Sequence, residues 1–271
     1  MEISLGQYYP TDSILHKLDP RVKFLGTLAY IIGVFLVKGL IGYLFVTAVL
    51  GVMIALSRVP FRYILKSMKP IWFILIITVI FNLLLTPGTA VWHWGILKIT
   101  DAGIRMAVRM ALRLTYLVMG SSIMTLTTTP NSLTDAMESL FAWMKVLHVP
   151  VHEIAMMMSI ALRFIPILMD EADKIMRAQE ARGADFQSGG LIHRVKAMVP
   201  LLVPLFVSAF RRANDLALAM ESRGYHGGAG RTKMKPLVYR RRDYAAYIVM
   251  VLYLVLMVLL KVFVKIEIHV L

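Results

Sequence analysis

The sequence predicts an all-α membrane protein, with about five transmembrane helices plus long amphipathic helices on the cytoplasmic side. Three observations carry that expectation. Of 271 residues, 58% are hydrophobic and 17% charged, whereas soluble domains run at about 45–50% apolar and 25% charged. Apolar stretches long enough to cross a bilayer recur before Pro130 and once more after Asp243. The charge is also one-sided. Between Pro130 and Asp243 lie 16 of the 30 lysines and arginines, the bias expected of cytoplasmic segments. A formal charge of +14 would also suit nucleic acid, but no nucleic-acid-binding motif is present, and the expectation is no nucleic-acid partner. The chain contains no cysteine, which excludes disulfides, thiolate metal sites and cysteine nucleophiles.

The start, "MEISLGQYYPTDSILHKLDPRVK", is polar and holds two prolines. It does not resemble a cleavable signal peptide, so the first apolar segment is expected to stay in the mature protein. From Phe24 to Ser57 the only charge is Lys38. One helix of that length would rise about 50 Å, too long for a hydrocarbon core of about 30 Å, so "VKGLIG" must split it. The first span begins at "LDP", where Asp19 can cap and Pro20 can take the first helical position. The second runs from about Leu40 to Ala55. Arg58, Arg62, Lys66 and Lys69 follow in a basic loop that reads as cytoplasmic, and a third span covers Ile71 to Leu85. The next connection carries Trp92, His93 and Trp94, residues suited to a membrane interface, and is placed outside.

A fourth span returns and ends near "TLTTTP". Arg105, Arg109 and Arg113 at its beginning share one helical face. Two readings stay open for them: snorkelling or pairing at the interface, or a buried contact with a partner helix. The organisation that results is a four-span membrane domain over 1–129, an amphipathic region on the cytoplasmic side over 130–243 and a last span over 244–271, with the amino terminus inside. Within 130–243 no uninterrupted apolar run reaches the length of a span.

The amphipathic region repeats itself. "AQEARG" ends at Gly183 and "AMESRG" at Gly224, and their arginines, Arg182 and Arg223, lie 41 residues apart. An apolar or small stripe runs through Ile154, Met158, Ala161, Ile165, Leu168, Ala172, Ile175 and Gln179 and reaches Arg182 at its next step. A second runs through Leu202, Phe206, Ala209, Ala213, Leu216 and Met220 and reaches Arg223. Each arginine precedes a glycine able to take the left-handed conformation that ends a helix. Pro166, Pro200 and Pro204 are expected to bend or break the upstream portions. Arginine in a last turn is also an ordinary helix stop. Two copies, each with an aspartate (Asp173, Asp215) upstream, favour a duplicated docking element instead, because a guanidinium makes paired hydrogen bonds to carboxylates or carbonyls at any working pH.

Taken together, "GQYYPTDSILHKLDPRVK" and the two Arg-Gly endings resemble the transmembrane, or T, component of energy-coupling factor transporters, a branch of ABC importers for vitamins and transition metal ions. The resemblance covers nearly the whole chain. It implies that Ala181, Arg182 and Gly183, and Ser222, Arg223 and Gly224, belong to helix ends that seat in two ABC-type ATPase subunits. The second ending has serine where the family has alanine, a small-for-small change. The resemblance also implies a small substrate-binding membrane subunit as partner, ATP hydrolysis in the ATPases rather than in this chain, and no cofactor of its own. The run Met156, Met157 and Met158 has two readings: ordinary core or lipid contact, or, since methionine repacks against different partners, a face that touches the substrate-binding subunit.

Rival readings are weaker. The histidines (His16, His93, His148, His152, His193, His226 and His269) are scattered, and "HVPVHE" is not a zinc-protease pattern. Neither a phosphate loop nor a nucleophile elbow is present; "YHGGAGR" reads as a flexible linker. A self-contained secondary transporter would place acidic or paired polar groups within its spans, and here Asn82 is the most polar residue inside the third. A membrane scaffold without an ATPase partner is the remaining alternative.

Overall fold

The computed structural model describes residues 8–37, 39–94, 97–184, 186, 190–228, 234 and 236–270. The chain divides into two units, one of residues 6–136 with 237–271 and the other built on Met137–Pro236. Described regular structure is almost entirely helical.

In the first unit, helix α1 (Pro20–Leu36) starts as the sequence predicts. Asp19 caps it by accepting from the Arg21 amide, and Pro20 opens the helix. Val37 is extended and Gly39 has φ +83°, so the chain breaks before α2 (Gly39–Ser57). The expected basic loop is instead mostly helix. α3 (Phe61–Met68) follows Pro60 and turns Ile64 and Met68 inward while Arg62 and Lys66 stay exposed. One 3₁₀ turn (Lys69–Ile71) joins it to α4 (Trp72–Leu85). The connection that follows is an antiparallel hairpin of β1 (Ala90–Trp94) and β2 (Leu97–Thr100), a pairing the sequence reading did not anticipate. The side chains of Trp92, His93 and Trp94 lie outside the described residues.

α5 (Asp101–Thr127) packs against α1, α2, α3 and α4, and the last helix, α9 (Arg241–Val270), packs against α1 and α2. Close approach depends on missing Cβ atoms. A Cβ on Gly120 of α5 would collide with the Tyr30 ring, and one on Gly33 of α1 with the Tyr253 hydroxyl. Tyr30 then donates to the Tyr116 carbonyl at 3.2 Å, and Tyr253 donates to the Tyr30 carbonyl at 3.4 Å. The α5 arginines differ in their surroundings. Arg105 pairs with Asp101 at 2.6 Å while largely exposed, whereas Arg113 is half-buried with its guanidinium 5.7 Å from the Phe35 ring centroid.

Among the described residues three helices are long and apolar enough to cross a membrane, Phe61–Leu85, Val151–Ala181 and Arg241–Phe263, and Ile41–Ser57 is a shorter apolar helix. This redistributes the expected spans. α3 extends the third backward, α1 has only 17 residues, and three arginines make α5 less apolar. Within 130–243, Val151–Ala181 meets that length and composition although Glu153 and Arg163 interrupt its apolar run, because the remaining charges gather after Met169.

The helix termini at one end of this unit are tied by polar contacts. Asp243, 1% exposed, accepts the Asp19 amide at 2.8 Å and the Arg240 amide at 2.7 Å. Arg21 grips Asp19 through Nε and Nη2 at 3.1 and 3.0 Å and lies 3.9 Å over the Tyr239 ring. Lys23 donates to the Thr127 carbonyl at the end of α5 at 2.8 Å and to the His16 carbonyl at 3.2 Å. The Tyr9 amide donates to the Leu126 carbonyl at 2.9 Å. His16 completes the segment. Its Nε2 donates to the Tyr9 carbonyl at 2.9 Å, so Nδ1 is free to accept from the Ser13 hydroxyl at 2.7 Å. Burial holds this imidazole below its ordinary value of 6.5, and the Lys23 charge adds to the effect against the Tyr9 bond.

The folded state thus prefers neutral His16. Its contribution is intact above pH 6.5 and declines as the pH falls through that value toward the lower folded pKa. Thermal unfolding in detergent at about pH 7.5 and about pH 5.5 should show wild type losing more stability on acidification than His16→Gln, which keeps a donor for Tyr9 but does not titrate. Equal losses would count against the assignment.

The second unit is dominated by two long helices, α7 (Val151–Ala181) and α8 (Leu191–Ser222). They are reached from α6 (Pro130–Leu140) through a 3₁₀ segment (Ala142–Leu147) that ends at left-handed His148. Neither is broken by proline: α7 runs through Pro166 and α8 through Pro200 and Pro204.

Candidate functional site

The two Arg-Gly endings fold into the same object. After α7 the Gly183 amide bonds to the Glu180 carbonyl at 2.9 Å and the Ala184 amide to the Gln179 carbonyl at 3.0 Å. After α8 the Gly224 amide bonds to the Glu221 carbonyl at 2.9 Å and the Tyr225 amide to the Met220 carbonyl at 2.9 Å. Both are Schellman caps, in which left-handed glycine lets two amides satisfy the last open carbonyls. Gly183 has φ +88° and Gly224 φ +70°. Each arginine occupies the cap position itself, with φ −88° and ψ 3° at Arg182 and φ −91° and ψ 10° at Arg223. Ala181, Arg182 and Gly183, like Ser222, Arg223 and Gly224, are all exposed. Among the described residues neither guanidinium has a side-chain partner. The motif thus presents a fixed cation at the end of a rigid rod.

What sets the two cations apart is the pairing of their helices. Gln179 reaches the Pro200 carbonyl at 3.5 Å, while Glu171 binds Arg212 through Nε and Nη2 at 3.1 and 2.6 Å and also accepts from the Ser208 hydroxyl. A later residue of α7 meets an earlier one of α8, so the helices run antiparallel. Arg182 therefore sits at one end of the pair and Arg223 at the other. From Pro200, level with Gln179, to Arg223 the chain climbs about 35 Å of helix. The endings are not gathered into one site; they lie at two separate places on one frame.

The apolar stripes are only partly covered. Leu168, Ala172, Ile175 and Gln179 are half-buried where α8 passes, but Ile154, Met158 and Ile165 are exposed, as are Leu202 and Phe206 of α8. Met156 is half-buried, Met157 is 58% exposed and Met158 51%. Two constellations escaped the sequence reading. One is the Glu171, Ser208 and Arg212 clasp; its signal was a charge of opposite sign beside each apolar stripe. The other is His152, whose Nδ1 lies 2.9 Å from Glu138 Oε1. Nothing in the spacing of those two residues, across a 3₁₀ turn, announces that pair.

The family model CbiQ, described as a cobalt transport protein, matches residues 11–234, which include both endings. The chain belongs to the CbiQ family. Relatives within it carry the name energy-coupling factor transporter transmembrane protein EcfT. That of Ruminiclostridium cellulolyticum is 51% identical over 242 residues, covering 89% of this chain and 91% of the relative. Those of Acidaminococcus fermentans and Bacillus subtilis are 48% identical over 260 residues and 45% over 262, covering 96% and 95% of this chain and 97% of each relative. The transmembrane-component family suggested by the amino-terminal motif and the paired endings is the family found, and the CbiQ chain described here is an all-α membrane protein of that kind.

No atom lies within 4 Å of a Cβ added to Gly183 or Gly224, so alanine there meets only its own backbone strain. The cost of holding a Cβ at such φ is about 1–2 kcal/mol. In Gly183→Ala and Gly224→Ala, hydrogen exchange at the cap amides of 183–184 or 224–225 should accelerate by a factor of about 5–30, with the other ending unchanged. Unchanged exchange at the substituted ending would show that the cap does not need glycine.

Proposed function

We propose that this CbiQ-family chain is the membrane scaffold and coupling subunit of an energy-coupling factor importer. It transmits ATP-driven motion from two ATPase subunits to a small substrate-binding membrane subunit that takes up a vitamin or metal ion. The observation that carries the reading is the pair of identical caps, each holding an exposed arginine at an opposite end of the α7–α8 frame. Two equivalent, well-separated cations suit two homologous ATPases better than one partner. ATP hydrolysis belongs to those subunits, and this chain supplies attachment and leverage. Residues 130–243 then lie on the cytoplasmic side, the amino terminus is cytoplasmic, and 1–129 with 244–271 form the membrane part of a multi-pass protein in a bacterial or archaeal cell membrane.

Arg182 and Arg223 serve as anchors because a guanidinium seated in a partly dry groove leaves the partner's carboxylate or carbonyl unpaired when it is removed. Arg182→Ala and Arg223→Ala should each reduce co-purification of ATPase subunits by about tenfold, and the double variant by about a hundredfold, since the sites are too far apart to couple. ATPase capture by the double variant at the wild-type level would reject the reading.

Met156, Met157 and Met158 supply the repackable face for the substrate-binding subunit. Leucine keeps their bulk and loses their flexibility. Replacing all three should slow exchange of labelled substrate-binding subunits in a native gel while leaving thermal stability within about 1.5 kcal/mol of wild type. A large loss of stability with normal exchange would assign the run to ordinary packing.

A further inference from the structure

The segment after the second ending, read from sequence as a linker, has a fixed position through Gly228; Ala229, Gly230 and Arg231 lie outside the described residues. Gly227 turns the chain with φ +96°. Gly228 then lies so close to α7 that a Cβ would collide with His152 Cδ2, stand 3.0 Å from His152 Cγ and 3.1 Å from Glu153 Oε1. The imidazole is held for this contact from its other side, since Nδ1 is bonded to Glu138 Oε1 of α6 at 2.9 Å. These side chains are only 25% and 15% exposed. A cavity of about 220 Å³, lined by Lys145, Val149 and Pro150 among others, adjoins the ring. The bond to Glu138 orients the ring that Gly228 rests against.

We propose that Gly228, His152 and Glu138 form a joint that fastens the exit of the second Arg-Gly ending to the start of α7, and thereby sets the position of Arg223. His152 and Gly228 are positioning residues. α7 is 31 residues long, about 46 Å, with the joint at one end and Arg182 at the other. The joint and Arg182 thus lie at opposite ends of α7, so opening the joint frees the second ending and leaves the first in place. The inference rests on the coupling reading given above.

The natural chain has no cysteine, so the joint can be rebuilt as a reversible bond. In the full complex, His152→Cys with Gly228→Cys is combined with a photo-cross-linking residue at Glu180, before the first ending, or at Glu221, before the second. The modest Gly228-to-His152 separation permits a disulfide between the two positions. When reduced, the joint is open and cross-linking to ATPase from position 221 should fall by about fivefold or more. Oxidation should restore it in the same molecules, while the yield from position 180 holds in both states. The wild-type joint should give high yields at both positions regardless of redox state. Failure of the disulfide to form, equal yields from position 221 in both states, or parallel loss at 180 and 221 would each overturn the joint. Absence of ATPase cross-links from both positions, even with the wild-type joint, would overturn the coupling reading and the joint with it.

Discussion

The unit of residues 6–136 and 237–271 depends on a carboxylate that accepts two backbone amides. Asp243 takes the amide of Asp19, 224 residues away, and that of Arg240 beside it. A helix start leaves amides without partners, and buried away from water each would cost about 1–3 kcal/mol if left open. Satisfying them with a residue from the opposite end of the chain fixes the starts of α1 and α9 against each other. Asp19 turns its own carboxylate to the Arg21 amide and guanidinium, and Lys23 performs the converse task on the Thr127 carbonyl at the end of α5. Three helix termini are thereby brought together before any apolar packing is considered.

Around the apolar core of this unit, two glycines allow close helix approach. α5 can approach α1 because Gly120 leaves room for Tyr30, and α9 can approach α1 because Gly33 leaves room for Tyr253. The tyrosine hydroxyls then donate to helix carbonyls rather than being stranded in a dry interior. Large apolar side chains point the other way: Phe73, Leu85 and Ile248 are 72%, 69% and 69% exposed. In water this would be a liability, but in a bilayer such surfaces are at home, and association is left to small residues and hydrogen bonds.

The long-helix unit follows a different logic. Its two helices are clasped by the Glu171, Ser208 and Arg212 contacts, and their ends are finished by the same cap. A Schellman cap restricts the last turn, so an arginine at the cap position projects from a stiff terminus rather than a fraying one. The antiparallel pairing then decides that the two arginines occupy opposite ends. Duplicate chemistry is held at two separate places only because of that arrangement.

Much of this was legible because it is local. Asp19 and Pro20 announced the start of α1, "TLTTTP" the end of α5, and glycine after arginine the ends of α7 and α8. Each signal acts within about one turn of helix, the range over which caps and propensities operate. Where the reading went astray, an interaction of another kind intervened. Arg58 to Lys69 looked like a loop because of its charges, yet Ile64 and Met68 at helical spacing bury one face of α3. The prolines of α7 and α8 did not end their helices, and the alternating residues before Thr100 paired as strands. By itself the sequence determined the chain's solvent, its helices and the chemistry of both Arg-Gly endings, because composition, period and capping are properties of short stretches. Tertiary structure alone decided that Asp243 holds Asp19, that Glu171 holds Arg212, and that Gly228 rests on His152. Where their hydrogen bonds are direct, those partners lie 224 and 41 residues apart. No short-range pattern encodes such contacts: they exist only once helix packing has fixed which faces meet and in which register.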